Sequence, residues 1–89
     1  MKAKQIQLVG DAGEVLVSMN VAANGNGTVT THNRDGYVLV AMGGDPNGNG
    51  SISVNNARGG LMVRAGTNLN GTAEVTTYER AGEVKTHLP

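Results

Sequence analysis

The sequence repeats every 23 residues, and this internal period constrains the fold more than any other feature. One ladder of glycines and one ladder of β-branched residues run through the chain at this spacing without an insertion or deletion. The first consists of Gly13, Gly36, Gly59 and Gly82, and the second of Ile6, Val29, Ile52 and Val75. A fixed period of this length is typical of repeat proteins, in which each unit buries its apolar face only against neighbouring units.

The period divides the chain into four units, at about residues 4–26, 27–49, 50–72 and 73–89. A chain of 89 residues has room for one domain. We therefore predict a single all-β repeat domain over residues 1–89, in which each unit contributes two strands.

Within each unit, apolar residues alternate with small hydroxyl residues, which is the two-residue period of a β-strand. Residues 28–31 (TVTT) and 51–54 (SISV) carry this pattern. Residues 33–36 (NRDG) follow the first of these strands, with the Asn and Gly positions of a type I turn that ends on a left-handed glycine. A second strand comes next, and residues 43–50 then form a longer loop rich in Gly and Asn.

The second strand of each unit is apolar on both of its faces. Val15, Val17 and Met19 are predicted to share one face because side chains alternate along a strand. The opposite face carries an apolar side chain in three units and a lysine in the fourth, a set that we call the ridge: Leu16, Leu39, Met62 and Lys85. Contiguous exposed apolar residues mark interfaces, so we predict that the ridge packs against other chains.

The composition leaves little material for a core within one chain. Hydrophobic residues make up 38% of the sequence, aromatic residues 2%, and cysteine is absent. Domains of this size usually compensate with large aromatic side chains, disulfides or a metal ion. We therefore expect the units to bury their apolar faces against other copies of the chain in a closed cyclic homo-oligomer.

The charge pattern and the apolar pattern argue against nucleic acid and membrane partners. Seven Lys and Arg residues balance seven Asp and Glu residues, and the two tyrosines offer no platform for stacking bases. The first eight residues contain no apolar run long enough for a signal peptide or a spanning helix. The sequence predicts neither nucleic-acid binding nor membrane insertion, and it leaves the compartment open.

No group of residues has the spacing of a catalytic site. Thr30, Thr31, His32 and Asp35 come closest, but neighbours in a strand point to opposite faces. His32 and His87 occupy different phases of the repeat, and no cysteine or carboxylate accompanies either at metal-ligand spacing. We predict a protein that is not an enzyme, with surface histidines and without catalytic or cofactor-binding residues.

Residues 45–50 (DPNGNG) match the opening of a calcium-binding loop. Such a loop needs a bidentate glutamate at its twelfth position, which is Asn56 in this sequence. Asn and Gly are also the residues that tight turns require. We therefore interpret this segment as a turn and predict no metal site.

The motif G-x-G-x-[VI]-x-[VT]-x-N-x-x-G-x-x-[LM]-V-x-x-G runs through the units, and residues 4–15 (KQIQLVGDAGEV) open the array. This pattern resembles tandem β-repeats of bacterial proteins that often lie beside coiled-coil stalks, and it is similar to the repeats of phage needles and fibre shafts. The resemblance implies a homotrimeric β-prism or β-solenoid that serves as a rigid stalk or spacer attached to a coiled coil. It also implies an extracellular or cell-surface location if the chain belongs to such a stalk protein.

Two alternatives stay open. The chain could instead be an adhesin or fibre-type binding module that presents its Asn/Gly loops to a glycan or receptor. Lectin-like sites usually stack sugars on aromatic rings, and this sequence offers only Tyr37 and Tyr78, at different phases of the repeat. The second alternative is a monomeric solenoid of four coils, which differs from the trimer in assembly and not in chemistry.

Overall fold

The computed structural model of the chain describes residues 3–68, 70–79 and 83–88, which form eight β-strands without a helix. The strands are β1 (Gln5–Val9), β2 (Val15–Val21), β3 (Gly27–His32), β4 (Val38–Gly44), β5 (Gly50–Asn55), β6 (Leu61–Thr67), β7 (Ala73–Tyr78) and β8 (Val84–Leu88). The all-β prediction is confirmed, and two strands fall within each 23-residue unit. No helix in the described ranges is long and apolar enough to cross a membrane.

The eight strands form one open antiparallel sheet in which each strand pairs with its neighbours in the sequence, from β1 to β8. Each unit therefore extends the sheet sideways and does not wind over the preceding unit, as the coils of a solenoid would. The four-coil monomeric solenoid is not what the chain forms. A trimeric prism requires several chains.

Five-residue hairpin turns of one geometry connect the strands at both ends of the sheet. In the turn at residues 33–37, the N–H of Asn33 donates to the carbonyl of Tyr37, and the N–H of Gly36 donates to the carbonyl of Asn33, both at 3.0 Å. The fourth residue has a φ between 81° and 90° at Gly13, Gly25, Gly36, Gly48, Gly59 and Gly71. The predicted left-handed turn glycines are confirmed in the first three units, whereas Gly82 lies outside the described residues.

The loop predicted at residues 43–50 is shorter than expected. β4 continues to Gly44 and β5 begins at Gly50, where these two glycines face each other across the strands. Only residues 45–49 remain as a turn, with the same hydrogen bonds as the turn at 33–37. The sheet therefore turns every 11 or 12 residues, and the 23-residue period contains two similar hairpins.

A β-bulge interrupts the pairing of every second strand, and the extra residue is always a member of the ridge. Leu8 pairs with Val17 but Val9 pairs with Val15, so Leu16 has no counterpart in β1. The same register shift leaves out the other members of the ridge: Leu39, Met62 and Lys85. A bulge inserts one residue into one strand and locally bends it.

The bulge corrects the predicted face of Val15. Because Leu8 and Val9 are consecutive in β1, they point to opposite faces of the sheet, and so do their partners Val17 and Val15. Val15 therefore does not share a face with Val17 and Met19. The reason is that the alternation predicted from the sequence shifts by one residue at the bulge.

The sheet is a single layer without a hydrophobic core. No hydrophobic residue among those described is buried, and the two buried residues are Ser18 and Thr76. The molecule measures 39 × 30 × 16 Å. A compact monomer of 9.1 kDa exposes about 4,900 Å², whereas this chain exposes 6366 Å². The single chain therefore leaves apolar side chains exposed to solvent that a compact domain would bury.

Candidate interaction surface

Two cross-strand rows of side chains form an apolar face on one side of the sheet. The first row, which we call the methionine row, consists of Ile6, Met19, Val29, Met42, Ile52, Ala65, Val75 and Leu88. The second row, the valine row, consists of Leu8, Val17, Thr31, Val40, Val54, Val63, Thr77 and Thr86. The two rows together are called the apolar face below. They contain no charged residue, because the 23-residue period places the same residue types opposite each other in every unit.

The opposite side of the sheet carries two polar rows and, at the end with the bulges, a third row that is mostly apolar: Val9, Val15, His32, Val38, Asn55, Leu61, Tyr78 and Val84. One polar row consists of Gln7, Ser18, Thr30, Ala41, Ser53, Arg64 and Thr76, and the next of Gln5, Asn20, Thr28, Gly43, Ser51, Gly66 and Glu74. We call these two polar rows the polar face. The two faces differ in this way because apolar and hydroxyl residues alternate in β3, β5 and β7.

The side chains of the ridge are less exposed than the sequence predicted. Leu16, Leu39 and Met62 are half-buried, and only Lys85 is exposed. The Cδ1 atom of Leu16 lies 3.2 Å from the position that a Cβ atom on Gly10 would occupy, so this side chain packs against the turn at residues 10–14. The ridge residues lie at the end of the sheet where the bulges are, next to the turns that follow the first strand of each unit.

A groove interrupts the apolar face around Ala65. Its volume is about 470 Å³, and Met42, Ile52 and Val75 are among the residues that line it. The groove exists because alanine occupies a position of the methionine row where the two preceding units carry Met19 and Met42. The apolar face therefore has a shallow depression beside its longer side chains.

Asp45 holds a turn, as the sequence predicted. Its Oδ1 atom accepts hydrogen bonds from the N–H groups of Asn47 at 2.9 Å and Asn49 at 3.0 Å. Asn56 lies in a turn at the opposite end of β5, so the chain does not curl into a calcium-binding loop between the two residues. Within the described ranges, no three His, Cys, Asp or Glu residues lie close enough together to hold a metal ion.

The sequence predicted a surface histidine at position 32, but His32 is half-buried in the structure. It pairs with Val38 of the neighbouring strand β4. Its Nδ1 atom is buried without a hydrogen-bond partner among the described residues. Thr30 and Thr31 lie on opposite faces, and Asp35 lies in the turn beyond the strand end. The structure does not bring these residues together as a nucleophile and base. The side chain of His87 lies outside the described part of the chain.

The two tyrosines lie at the same end of the sheet, next to turns. Tyr37 is exposed, and its Cδ1 atom lies 3.2 Å from the position that a Cβ atom on Gly59 would occupy, so its ring covers the neighbouring turn. Tyr78 is half-buried and pairs with Val84. The structure therefore offers one exposed ring at the turns.

Comparison with models of known protein families finds no match, and no curated protein matches the chain. The resemblance to bacterial β-repeats therefore depends on the motif alone and stays a prediction.

Proposed function

We propose that this protein is a non-enzymatic structural module, a β-repeat stalk or spacer segment that assembles as a homotrimer. The observation that supports this proposal is the single-layer sheet without any buried hydrophobic residue in its described part. A sheet needs a covered hydrophobic face for independent stability. A regular repeat that acquires its core only by association is suited to building an elongated, rigid assembly.

The strand length agrees with a prism of three chains. The strands have five to seven residues, and six residues span about 20 Å. Three such strands arranged as a triangle place each sheet about 6 Å from the axis, close to half of the ~10 Å spacing between packed sheets. Four sheets would lie about 10 Å from the axis and would leave a channel between them. Three sheets can therefore fill a common core with their side chains.

The location and the attachment of the module are part of the same proposal. The resemblance supports a position beside a coiled-coil stalk in a bacterial surface protein. A homotrimeric prism would continue a trimeric coiled coil without a change in symmetry.

Light scattering at micromolar concentration tests the assembly. The proposal expects a solution mass three times the chain mass of 9.1 kDa. A monomeric mass would overturn the proposal, because the uncovered sheet would then be the final state of the protein.

The exposed ring of Tyr37 supports a second candidate, a binding module that presents its turns to a glycan. An open depression lies at the turn that this ring approaches, lined by Asn56, Ala57, Arg58 and Gly60. Titration against a glycan panel tests this function. Saturable binding that is lost in Tyr37→Ala but kept in Tyr78→Ala would favour it over a purely structural role.

A further inference from the structure

We infer that the apolar face, and not the ridge, is the surface on which copies of this chain pack against each other. This inference deepens the proposed structural function, because it depends on self-association and identifies the surface and the partner. The partner is a second copy of the same chain. The polar face then stays on the outside of the assembly.

The chemistry of the apolar face excludes a charged or strongly polar partner. Met42 and Val54 are 45% and 37% exposed, although they lie on the central strands β4 and β5. The face offers only threonine hydroxyls as polar side-chain groups in its two rows. A partner that covers it without leaving polar groups unsatisfied must itself be apolar over the same area.

The size of the face meets the requirement for a stable association between copies. The sheet measures 39 by 30 Å, so one whole side of it, with the turns included, offers roughly 1,200 Å², compared with the ~800 Å² that each partner buries in a standard interface. The exposed area of the chain is also higher than that of a compact monomer by an amount of this order.

The shape of the face fits a second copy better than a flat surface. Met19 and Met42 carry the longest side chains of the methionine row, and a shallow, open depression lies beside Ala65. Packed interfaces reach the density of protein interiors, so this depression must be filled when the face is covered. A second copy brings its own long side chains at the same strand spacing and with the same twist along the whole length of the sheet.

The ridge is a weaker candidate because it offers only one side chain in each unit and its last member, Lys85, is charged and exposed. Its first member, Leu16, packs against the turn at residues 10–14 of its own chain. The ridge residues lie 23 positions apart at the bulged sites of successive units. The repeated bulge therefore accounts for the regular spacing of the ridge residues, and no partner chain is needed to explain it.

Single cysteine variants test the inference, since the natural sequence contains no cysteine. Val54→Cys places a thiol in the valine row, and Ser53→Cys places one on the polar face of the same strand. Leu39→Cys probes the ridge. The mass of each variant is measured by light scattering, and the rate of alkylation by iodoacetamide is measured in the native and the urea-unfolded protein.

We expect all three variants to keep the mass of the parent protein and Val54→Cys to react at least tenfold more slowly than Ser53→Cys in the native state. The two should react at the same rate in urea, which controls for the intrinsic reactivity of the thiols. A trimer in which Cys at position 54 reacts as fast as Cys at position 53 would overturn this inference and leave the proposed function intact. A trimer in which only Leu39→Cys is protected would overturn it in favour of the ridge.

If Val54→Cys fails to assemble, Ile52→Cys in the methionine row is measured in its place against the same control. A lipid surface is the other apolar partner of a flat face, and flotation of the parent with neutral phosphatidylcholine vesicles tests it. A monomeric parent that floats with vesicles would overturn both this inference and the proposed trimer. A trimeric parent that stays unbound supports the inference.

Discussion

The turn glycines are the residues at which sequence and structure agree most closely. Gly36 was identified from its position in the repeat, and its φ of 90° is one that residues with a Cβ atom rarely adopt. The asparagines at these turns contribute through their side chains. No residue other than glycine has a positive φ in the described ranges, so the asparagines do not adopt the left-handed conformation. They donate and accept hydrogen bonds at the turns.

Gly36→Ala should lower the free energy of unfolding by about 1–2 kcal/mol per chain, because alanine is strained at this φ. No atom lies within 4 Å of the added Cβ, so a steric clash does not contribute. Chemical denaturation measures the change at fixed protein concentration. Gly50→Ala is the matched control, since it has equal space and no positive φ, and it should be neutral or stabilising by up to ~1 kcal/mol. Equal losses in both variants would contradict the assigned turn conformation.

Asp45→Ala should destabilise by roughly 1–2 kcal/mol, because the N–H groups of Asn47 and Asn49 lose their shared acceptor. Asp45→Asn keeps an oxygen at this position and should cost only a few tenths of a kcal/mol. Thermal melts with calcium and with a chelator separate this role from metal binding. A calcium-dependent rise in the melting temperature of the parent that is lost in Asp45→Asn would refute the turn interpretation.

The strands were predictable as elements, but their bulges were not. Alternating residues such as 51–54 define which side chains share a face. The run from Val15 to Val17 is apolar at every position, so it contains no alternation from which an extra residue could be recognised. The register of β1 against β2 is needed to see that Leu16 is unpaired. For the same reason the sequence alone suggested a free apolar ridge.

Deletion of a bulge residue should be tolerated, whereas deletion of its neighbour in the same strand should not. Removing Leu39 leaves the pairs His32–Val38 and Thr31–Val40 in place and makes the ladder regular. Removing Ala41 instead shifts the two ends of β4 by one residue, which moves one set of side chains to the wrong face. We expect the first variant to keep the β-sheet circular dichroism spectrum and the oligomeric mass of the parent.

The Ala41 deletion should precipitate or lose the cooperative unfolding transition. The half-buried Leu39 side chain is lost in the tolerated variant, so a destabilisation of about 1–2 kcal/mol is expected there. If both deletions unfold the protein equally, the assigned register of β3 and β4 is wrong.

At the scale of the molecule, the sequence predicted the lack of a core but not the open sheet. The low hydrophobic content and the two tyrosines already implied that one chain could not cover its own apolar residues. The same two-residue period serves a flat sheet and the coils of a solenoid, so the pattern could not distinguish them. The short turn at residues 45–49 is what keeps consecutive strands paired in one sheet. The sequence predicts a longer loop at 43–50, because glycines are rare in strands.

A core that forms only between chains makes unfolding depend on protein concentration. When a folded trimer dissociates into three unfolded chains, the unfolding constant contains the square of the chain concentration. Each tenfold increase in concentration therefore stabilises the trimer by about 2.8 kcal/mol, twice the ~1.4 kcal/mol that corresponds to a tenfold change in an equilibrium constant. A dimer would gain only ~1.4 kcal/mol. We expect the urea midpoint to rise steadily between about 1 and 100 μM chains, by an amount that corresponds to ~0.9 kcal/mol per chain for each decade, compared with ~0.7 kcal/mol per chain for a dimer. The polar-face variant Ser53→Ala should follow the same dependence, because its side chain lies away from the apolar face. A midpoint independent of concentration would mean that the single-layer sheet folds without a partner.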